Sequence, residues 1–403
     1  MNKTWVLCFL LCLGASCHPK SEHPGRLPLP QLETIDLSDH WSNQQEVNLS
    51  TIADSIFYIP LETAPEAFIS GDNAHLIRVE LLENYLVVYE ENKTLKLFNR
   101  NGKYLLTFGG QGKGPGEYIE ARNFVCDEPE NRVYILDGDQ SKIIVYDFKG
   151  KLIDEIRTQK WPCEIVISPE HTIGIVYLSL GNLSDTARLE WLRPDGKLKQ
   201  KVPLYQNRLY GKTATWGATS LYWIDGHLRI TEPPFDTIHQ LDPAVGFKGV
   251  TSIISGPEGI PREIWFDSGR WRKEAWNYLI IRRIFENSDL VFIESEGKKF
   301  RNFLFNRKSE EIICVKPGLA GSEEFDGLQN DLDGGMPFWP RTGSDDYLVT
   351  CISYTEIQAC VKAGGKAEQI SSLNPLLRKQ YIKMAKGMKE NDNPVLMVVR
   401  MKK

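Results

Sequence analysis

The sequence predicts an all-β protein in which a four-stranded unit is repeated around a ring. Apolar and polar residues alternate along many short segments, and three of these segments contain a polar turn that ends in Gly-Lys. The turn glycines, Gly102, Gly150 and Gly196, recur with a period in the mid-forties. Alternation on both sides of a short glycine turn is typical of a β-hairpin. Four strands repeated about every 40–50 residues are typical of a β-propeller blade.

The first three blades can be read from this period. Their hairpins are ENKTLKLFNRNGKYLLTF from Glu91, DQSKIIVYDFKGKLIDEI from Asp139 and TARLEWLRPDGKLKQKV from Thr186. Upstream of the first two hairpins lie YLVVYEE and RVYILDGD, and further upstream LIRVEL and NFVCDE. Each unit therefore contains four short strands.

The period blurs in the second half, where three more blades are inferred. TSLYWIDGHLRI with FDTIHQLDP supplies a fourth blade, DLVFIESE with KFRNFLFNRKSEEIICV a fifth, and DYLVTCIS with NPVLMVVRMK a sixth. A ring leaves no open sheet edge only if its two ends pair. We therefore expect the segment around Ile56 to complete the last blade beside Val398. Six blades are favoured, and seven are the weaker alternative.

Two insertions interrupt the second half of the chain. The first, residues 256–287, is expected to be partly helical or to form a lid. The second is predicted to be a helix that begins at Asn374-Pro375, because Asn is a favoured N-cap residue and Pro a favoured first helical residue. Its apolar stripe is expected to pack on the outside of the propeller, and it consists of Leu377, Tyr381, Met384, Ala385 and Met388.

The N-terminus is typical of an export signal. Lys3 precedes an apolar run from Trp5 to Leu13, and the small residues Gly14, Ala15 and Ser16 follow. LGASC resembles a bacterial lipobox, although Gly14 stands where such boxes prefer a large aliphatic residue. The resemblance implies that Cys17 is acylated and attaches the chain to a lipid bilayer. Plain secretion is the alternative. The predicted domains are a signal peptide (1–16), a tether (17–34) and the propeller (35–403).

Charge and hydropathy exclude two other classes of partner and anchor. The formal net charge is −5 and no basic run is present, so nucleic-acid binding is not expected. Beyond the signal, no apolar stretch approaches the roughly 20 residues of a membrane-spanning helix.

Several segments together resemble the NHL-like six-bladed propeller lipoproteins of Bacteroides and relatives. They are DSIFYIPLET, FGGQGKGPGEY, the VYD-x-x-GK hairpins, NDLDGGMPFWP and NPVLMVVRMK. The resemblance runs from about Ile35 to the end of the chain. It implies an outer-membrane lipoprotein that faces the periplasm or the surface, in a family often found beside glycan-uptake systems.

Catalytic signatures are absent from the sequence. FGGQGKGPGEY lacks the GKS or GKT of a phosphate-binding loop and is interpreted as a turn between blades. His227 and His239 lie in one predicted blade and are the candidates for a catalytic pair, with Asp137 and Asp333 as carboxylates. No GxSxG, HExxH or HxH motif surrounds them.

The candidate ligand-binding residues lie in the first insertion: Trp265, Trp271, Trp276, Arg270 and Arg272. Trp faces stack on sugar rings, and Trp and Arg dominate binding hot spots. Further Trp and Arg residues cluster in the same half, namely Trp216, Trp223, Trp339, Arg262, Arg282 and Arg283. About half of these Trp residues are expected in the core.

Cofactor and disulfide chemistry are weakly indicated. Asp331 and Asp333 resemble a fragment of a calcium loop, so a Ca²⁺ ion there is one hypothesis, and no other cofactor is expected. Besides Cys17, the mature chain contains Cys126, Cys163, Cys314, Cys351 and Cys360. Buried thiols are the favoured interpretation, and Cys351–Cys360 is the pair to test for a disulfide.

The sequence therefore predicts a non-catalytic, membrane-anchored propeller for ligand binding or scaffolding, in glycan capture or envelope protein assembly. The alternative is a carbohydrate-active lyase or hydrolase with its site in the propeller funnel.

Overall fold

Six antiparallel sheets surround a central channel. The computed structural model describes residues 32–403 except 70–76, 91–93, 161, 178–188, 203–219, 243–245, 266, 317–326 and 364–371. The predicted signal peptide, Cys17 and most of the tether lie outside the described residues. Residues Leu32–Lys403 form one compact unit.

Three strands precede the first complete blade: β1 (Glu33–Asp36), β2 (Gln44–Gln45) and β3 (Ala53–Pro60). β1 begins two residues before the predicted start of the propeller domain at Ile35.

Blades 1 to 3 contain four strands each. Blade 1 consists of β4 (Ile77–Leu81), β5 (Tyr85–Glu90), β6 (Leu95–Asn99) and β7 (Tyr104–Phe108). The short strands β8 (Gly110–Gln111) and β9 (Glu117–Tyr118) lie between blades 1 and 2. Blade 2 consists of β10 (Ala121–Asp127), β11 (Arg132–Asp137), β12 (Lys142–Tyr146) and β13 (Leu152–Arg157). Blade 3 consists of β14 (Pro162–Ile167), β15 (Ile173–Tyr177), β16 (Leu189–Leu192) and β17 (Leu198–Val202).

Blades 4 to 6 carry the helices. Blade 4 consists of β18 (Ser220–Ile224), β19 (His227–Thr231), β20 (Thr237–Asp242) and β21 (Gly246–Ile254). Helices α1 (Arg262–Trp265) and α2 (Ser268–Glu274) follow it. Blade 5 consists of β22 (Leu279–Glu286), β23 (Leu290–Gly297), β24 (Arg301–Asn306) and β25 (Glu311–Val315). Blade 6 contains β26 (Thr342–Gly343), β27 (Tyr347–Ile352), helices α3 (Tyr354–Ala363) and α4 (Pro375–Gly387), and β28 (Val395–Met401).

The ring closes where the sequence predicts. β3 is the outermost strand of blade 6 and pairs antiparallel with β28, with Ile56 opposite Val399 and Phe57 opposite Val398. The prediction of a six-bladed propeller of mostly four-stranded blades is confirmed.

The N-terminal segment ties three blades together before it closes the ring. β1 pairs in parallel with β21, which makes it a fifth strand of blade 4, and β2 does the same beside β25 in blade 5. One continuous segment therefore lies along the outer edges of blades 4, 5 and 6. This pairing covers sheet edges that would otherwise offer unpaired backbone groups.

The core consists of six apolar clusters, one between each pair of neighbouring blades. In β12, Ile144 and Tyr146 pack toward blade 1, whereas Ile143 and Val145 pack toward blade 3. All five residues of this strand are buried, because a central strand of a blade has an apolar neighbour on both of its faces.

The direction of the strands assigns every connection to one of two faces. Within each blade, successive antiparallel strands alternate in direction, starting from the innermost strand. The connections between blades, and the turns between second and third strands, therefore lie on one face, which we call the insertion face. It carries the segments with α1 to α4 and the β8–β9 loop. The opposite face carries the tight first and third turns, and we call it the turn face.

Local predictions about turns and the second insertion are confirmed. Gly102, Gly150 and Gly196 adopt φ of +80°, +78° and +77°, the left-handed region that favours glycine. Asn374 caps α4, and its Oδ1 accepts hydrogen bonds from two backbone N–H groups of the first turn. Tyr381 and Ala385 on its apolar stripe are buried.

The described cysteines are all free, so Cys351 and Cys360 do not form the disulfide that the sequence suggested as a test. Cys351 packs in the cluster between blades 6 and 1, and Cys360 in the cluster between blades 5 and 6. The two thiols therefore lie on opposite sides of one sheet. Within the described part of the chain, no helix is long and apolar enough to cross a membrane.

Candidate binding site in the central channel

The innermost strands of blades 2, 3 and 5 each contain a β-bulge in their first half. The extra residues are Arg122 in β10, Cys163 in β14 and Arg282 in β22. A bulge places two residues of one strand opposite one residue of its partner and re-aims the side chains beside it. The residues that follow the bulges are Asn123, Glu164 and Arg283. Each bulge thus changes the direction of polar side chains on a strand that lines the channel.

Three of the polar residues on the inner strands lie at a common height in the channel. Arg78 of blade 1, Glu164 of blade 3 and Arg283 of blade 5 each stand three residues before the last residue of their strand. Strands rise by a common ~3.3 Å per residue, so equal spacing from the strand end gives a similar height. The charge of Arg78 acts on the pKa of both Glu164 and Arg283, which places the three side chains within electrostatic range.

Arg283 and Arg341 share one carboxylate. Arg341 Nη1 donates to both oxygens of Glu294, at 2.8 and 2.9 Å. Arg283 Nη1 lies 3.7 Å from Glu294 Oε1, beyond hydrogen-bond distance. This nitrogen is buried and donates no hydrogen bond to any described residue, although the Arg283 side chain as a whole is 32% exposed. One N–H group of Arg283 is therefore free to donate to a ligand.

The surroundings of Arg283 are unfavourable for its own charge. Burial is the largest cause that lowers the pKa of this guanidinium, to about 10, and the nearby guanidinium groups of Arg341, Arg282 and Arg78 lower it further. Only Glu294 acts in the opposite direction. Like charges gathered in a partly buried place favour the binding of an anion, which offsets their repulsion.

Blades 1 to 3 contribute the other side of the channel. Arg78 Nη1 donates to the backbone oxygen of Arg122 at 2.9 Å, and Arg122 Nη2 lies 3.6 Å from Glu120 Oε2. Asn123 Nδ2 donates to Glu164 Oε2. Burial raises the pKa of Glu164 to about 7, against the opposing effects of Arg78, the Asn123 hydrogen bond and Arg122.

Arg282 lies at the outer rim of this group. Its side chain is 52% exposed and its Nη1 lies 2.8 Å from Glu296 Oε2. The site, which we call the channel cluster, consists of Arg78, Arg122, Asn123, Glu164, Arg282, Arg283, Glu294, Glu296 and Arg341.

Among the predicted tryptophans of the first insertion, Trp265 and Trp271 pack together and Trp276 is exposed. Trp265 and Trp271 lie with ring centroids 4.6 Å apart, and Trp265 packs on the core cluster between blades 4 and 5, beside Phe235. Trp276 is 59% exposed. It precedes β22 on the insertion face, next to the turn that carries the 41% exposed Phe300, and Lys298 N donates to Tyr278 O to join the two turns. We call Trp276 and Phe300 the aromatic shelf.

The predicted arginines of the insertion lie on the surface of α2. Arg270 Nη2 lies 2.9 Å from Glu274 Oε2 within the same helix, and Arg272 is exposed. Trp339 is buried and Trp216 lies outside the described residues. Of the residues named from the sequence, Arg282 and Arg283 lie on a strand that lines the channel, and Trp276 is exposed just before that strand.

The structure does not bring the two candidate histidines together. His227 is the exposed first residue of β19, and His239 lies on the third strand of blade 4, opposite Ile230. Three residues of strand separate these positions along β19, about 10 Å. Neither strand is the innermost strand of the blade, and a catalytic role for these histidines stays a prediction.

The candidate calcium residues accept hydrogen bonds in the loop before blade 6. Asp331 accepts from the backbone N–H and the hydroxyl of Ser50, and Asp333 accepts from Tyr58 Oη at 2.8 Å and Asn330 Nδ2 at 2.6 Å. The described residues contain no group of three or more His, Cys, Asp or Glu side chains that could hold a metal ion. These hydrogen bonds give no support to Ca²⁺ binding at Asp331 and Asp333, which stays a prediction.

Asp137, the remaining acidic candidate, is fully buried and accepts from Ile119 N and Gln140 N. It fixes a turn at the insertion-face end of blade 2. Its role in the structure is therefore that of a turn carboxylate.

A second charged network lies toward the turn face and is buried. The Glu286 side chain has no exposed surface and accepts hydrogen bonds from Tyr222 Oη at 2.7 Å and Arg229 Nη1 at 2.8 Å. Arg307 Nη2 also contacts Glu286, and Arg307 Nε donates to Glu33 in β1 at 3.2 Å. This network joins blades 4 and 5 to the N-terminal segment and has the burial of a structural element.

Sequence reasoning missed Arg78, Arg122, Glu164, Glu294 and Arg341 as members of one site. Arg78 and Arg283 are 205 positions apart, and no local motif connects them. The available signal was the presence of charged residues among the apolar residues of the inner strands, as in IRVEL and LIIRRIFE.

Comparisons with known proteins agree with the fold. The family model described as a domain of unknown function (DUF4934) matches residues 32–400. A protein from Bacteroides fragilis described as exported is 17% identical, with coverage of 93% of this chain and 100% of that chain, at a TM-score of 0.67. A DUF4221 member from Bacteroides vulgatus is 11% identical, with coverage of 89% and 99%, at a TM-score of 0.48.

No curated protein matches the chain. At 17% identity, the B. fragilis protein shows a shared fold. The predicted kinship with NHL-like lipoproteins stays a prediction.

Proposed function

The chain belongs to the DUF4934 family, and from that premise we propose that it is a non-catalytic, membrane-anchored propeller that binds a glycan on its insertion face. The export signal predicted at residues 1–16 and the lipidation predicted at Cys17 support the envelope location. The B. fragilis protein of the same fold, described as exported, supports it as well. An envelope protein is the alternative ligand.

The observation that carries the proposal is the position of two binding elements on one face. The aromatic shelf lies on the insertion face at the start of blade 5, and β22 leads from Trp276 directly to Arg282 and Arg283. Exposed aromatic faces stack on sugar rings, and guanidinium groups donate to sugar oxygens and acidic substituents. Loops held on a rigid scaffold are the usual location of binding residues.

The direct test is a polysaccharide screen of the unlipidated mature chain with detection of new reducing ends. Retention without product supports binding. Trp276→Ala is expected to weaken retention at least about tenfold, because exposed aromatic anchors contribute strongly to binding. Leu105→Ala is the matched control, since Leu105 is 43% exposed on the outermost strand of blade 1. If the chain retains no polysaccharide, the glycan part of the proposal is contradicted.

One observation favours the enzymatic alternative. Glu164 lies in the channel with a pKa of about 7, the range that suits a general acid or base at neutral pH. A lyase or hydrolase that uses it would release product, and Glu164→Gln would stop that release while the chain still bound the glycan. Product release by the unmodified chain would therefore replace the binding proposal with a catalytic one.

Anchoring has a separate test. Cys17→Ala is expected to remove acylation and shift the protein from the membrane fraction to the soluble or unprocessed fraction. Unchanged partitioning with membranes would contradict lipidation at Cys17. Metabolic labelling with a fatty acid analogue gives an independent readout.

A further inference from the structure

Positive charge exceeds negative charge around the insertion-face half of the channel. Five guanidinium groups belong to the channel cluster, those of Arg78, Arg122, Arg282, Arg283 and Arg341. The carboxylates near them are those of Glu120, Glu164, Glu294 and Glu296. Glu294 contacts two of these arginines, Arg283 and Arg341. Arg78 makes no ion pair with any described residue. Glu164 is about half protonated near neutral pH, because its pKa is about 7.

The positive groups form an arc. Arg283 and Arg282 come from blade 5, Arg341 precedes blade 6, and Arg78 and Arg122 come from blades 1 and 2. These blades are consecutive around the ring. Glu164 lies in blade 3, next to the blade 2 end of the arc, and interacts electrostatically with Arg78 and Arg122.

Two donors in this arc lack an acidic partner in hydrogen-bond contact. Arg283 Nη1 is buried with no hydrogen bond to a described residue. The Arg78 side chain is exposed, and its Nη1 donates to a backbone oxygen rather than to a carboxylate. A buried N–H group without an acceptor is unfavourable, and an incoming anion supplies the acceptor.

We infer that the channel cluster recognises the carboxylate of an acidic sugar residue, so that the ligand of this propeller is an acidic glycan. The inference rests on the proposed binding function and names its substrate class. Arg78 and Arg283 bind the carboxylate, and the aromatic shelf stacks on a neighbouring sugar ring of the same chain.

The chemistry of the cluster favours a carboxylate over a phosphate. Arginine forks match the planar carboxylate. In the same channel, Arg341 Nη1 already donates to both oxygens of a carboxylate, that of Glu294. The excess of one to two positive charges suits a singly charged group. A phosphate monoester brings up to about two negative charges into a place that already contains Glu164 and Glu294.

The test compares polygalacturonate with its carboxyl-reduced, neutral form, by calorimetry on the unlipidated mature chain. The acidic polymer is expected to bind at least about tenfold more tightly, and more weakly as salt is raised. Arg78→Gln is expected to remove most of this preference without affecting the neutral polymer. Arg400→Gln is the matched control, because the Arg400 side chain is 53% exposed on β28, at the turn-face end of blade 6, and the change in net charge is the same.

Two further variants distinguish an effect on binding from an effect on stability. Glu164→Gln is expected to tighten binding of the acidic polymer several-fold, because it removes a negative charge that faces the ligand. Arg283→Gln is expected to weaken it, and its melting temperature is recorded to separate lost binding from unfolding.

The possible outcomes distinguish the two proposals. Equal binding of the acidic and neutral polymers, or equal behaviour of Arg78→Gln and Arg400→Gln, would overturn the carboxylate inference and leave the glycan-binding function standing. Stabilisation by free glucuronate without binding of any polysaccharide would support the carboxylate site and overturn the glycan function. Tighter binding of a sulfated or phosphorylated polymer of equal length would also overturn the inference.

Discussion

The two faces of the propeller differ in how neighbouring blades are joined. On the turn face, hydrogen bonds connect the innermost turn of one blade to that of the next. The Glu128 carboxylate accepts from the backbone N–H groups of Glu83 at 2.7 Å and Asn84 at 2.9 Å, which joins blades 2 and 1. Ser288 continues the pattern, with its hydroxyl donating to Asp225 in blade 4 and its N–H to Asp345 in blade 6, each at 2.7 Å.

On the insertion face the connections are longer, and they contain the helices, the aromatic shelf and the rim of the channel cluster. Some side-chain contacts there stay within one connection, as in the Arg270–Glu274 pair, and others join blades inside the channel, as in Asn123–Glu164. The difference teaches that turn-to-turn hydrogen bonds join neighbouring blades at one face, while the other face carries the longer connections and the helices. Most of the binding residues lie on innermost strands, and the turn-face ends of these strands are held by hydrogen bonds between blades.

The largest expected loss of stability follows removal of the buried carboxylate near the turn face. Glu286→Ala leaves Arg229 without its carboxylate partner and Arg307 with Glu33 alone, and breaking a buried pair in this way costs roughly 3–5 kcal/mol. Urea unfolding at constant pH measures it. Tyr222 also loses its hydrogen-bond acceptor.

The control for this variant lies on the neighbouring strand β23 of the same blade, toward the insertion face. Glu296→Ala removes the partner of the half-exposed Arg282, and exposed pairs contribute about 0–1 kcal/mol. Equal losses for the two variants would show that the faces do not differ in this respect.

An intermediate loss of stability is expected when the hydrogen bonds of Glu128 between blades 1 and 2 are removed. Glu128→Ala removes an acceptor of three hydrogen bonds, two from backbone N–H groups and one from Asn84 Nδ2, and is expected to cost about 1–2 kcal/mol. Glu117→Ala is the insertion-face counterpart, because its carboxylate accepts from Gly114 N within a single loop. We expect a loss below about 1 kcal/mol for it. A larger loss from Glu117→Ala than from Glu128→Ala would contradict the comparison.

The same division explains which parts of the fold could be predicted from the sequence. The hairpin turns at Gly102, Gly150 and Gly196 are local, and a left-handed φ leaves a clear residue preference. The parallel pairing of β1 and β2 along blades 4 and 5 could not be predicted, because no turn or alternation specifies which distant edge a short strand joins.

The channel cluster escaped sequence reasoning for a related reason. Its members converge only after the ring has closed, and the bulges at Arg122 and Arg282 shift the register of the inner strands. An alternating pattern read along either strand therefore assigns some side chains to the wrong side. The sequence did indicate Trp276, but composition alone could not separate it from Trp265 and Trp271, which pack against each other.

The smallest expected effect depends on pH and concerns the join between blades 3 and 2. His171 Nδ1 lies 2.8 Å from Asp127 Oδ2, and this hydrogen bond is the largest cause that raises the pKa of His171 above 6.5. Burial is the second-largest cause and lowers the pKa, while the charges of Asp127, Glu130 and Glu170 raise it. Because the pKa is raised on folding, the stabilisation is fully present below the unfolded value and is lost as pH rises through the folded pKa.

His171→Asn isolates this contribution, because residue 171 has φ of +60° and asparagine tolerates that conformation. The melting temperature of the unmodified chain should exceed that of the variant by more at about pH 6 than at about pH 8.5. An NMR titration of the His171 ring should give a midpoint above 6.5. A midpoint at or below that value, or a gap that grows with pH, would mean that the turn-face join at this position does not depend on the charge of His171.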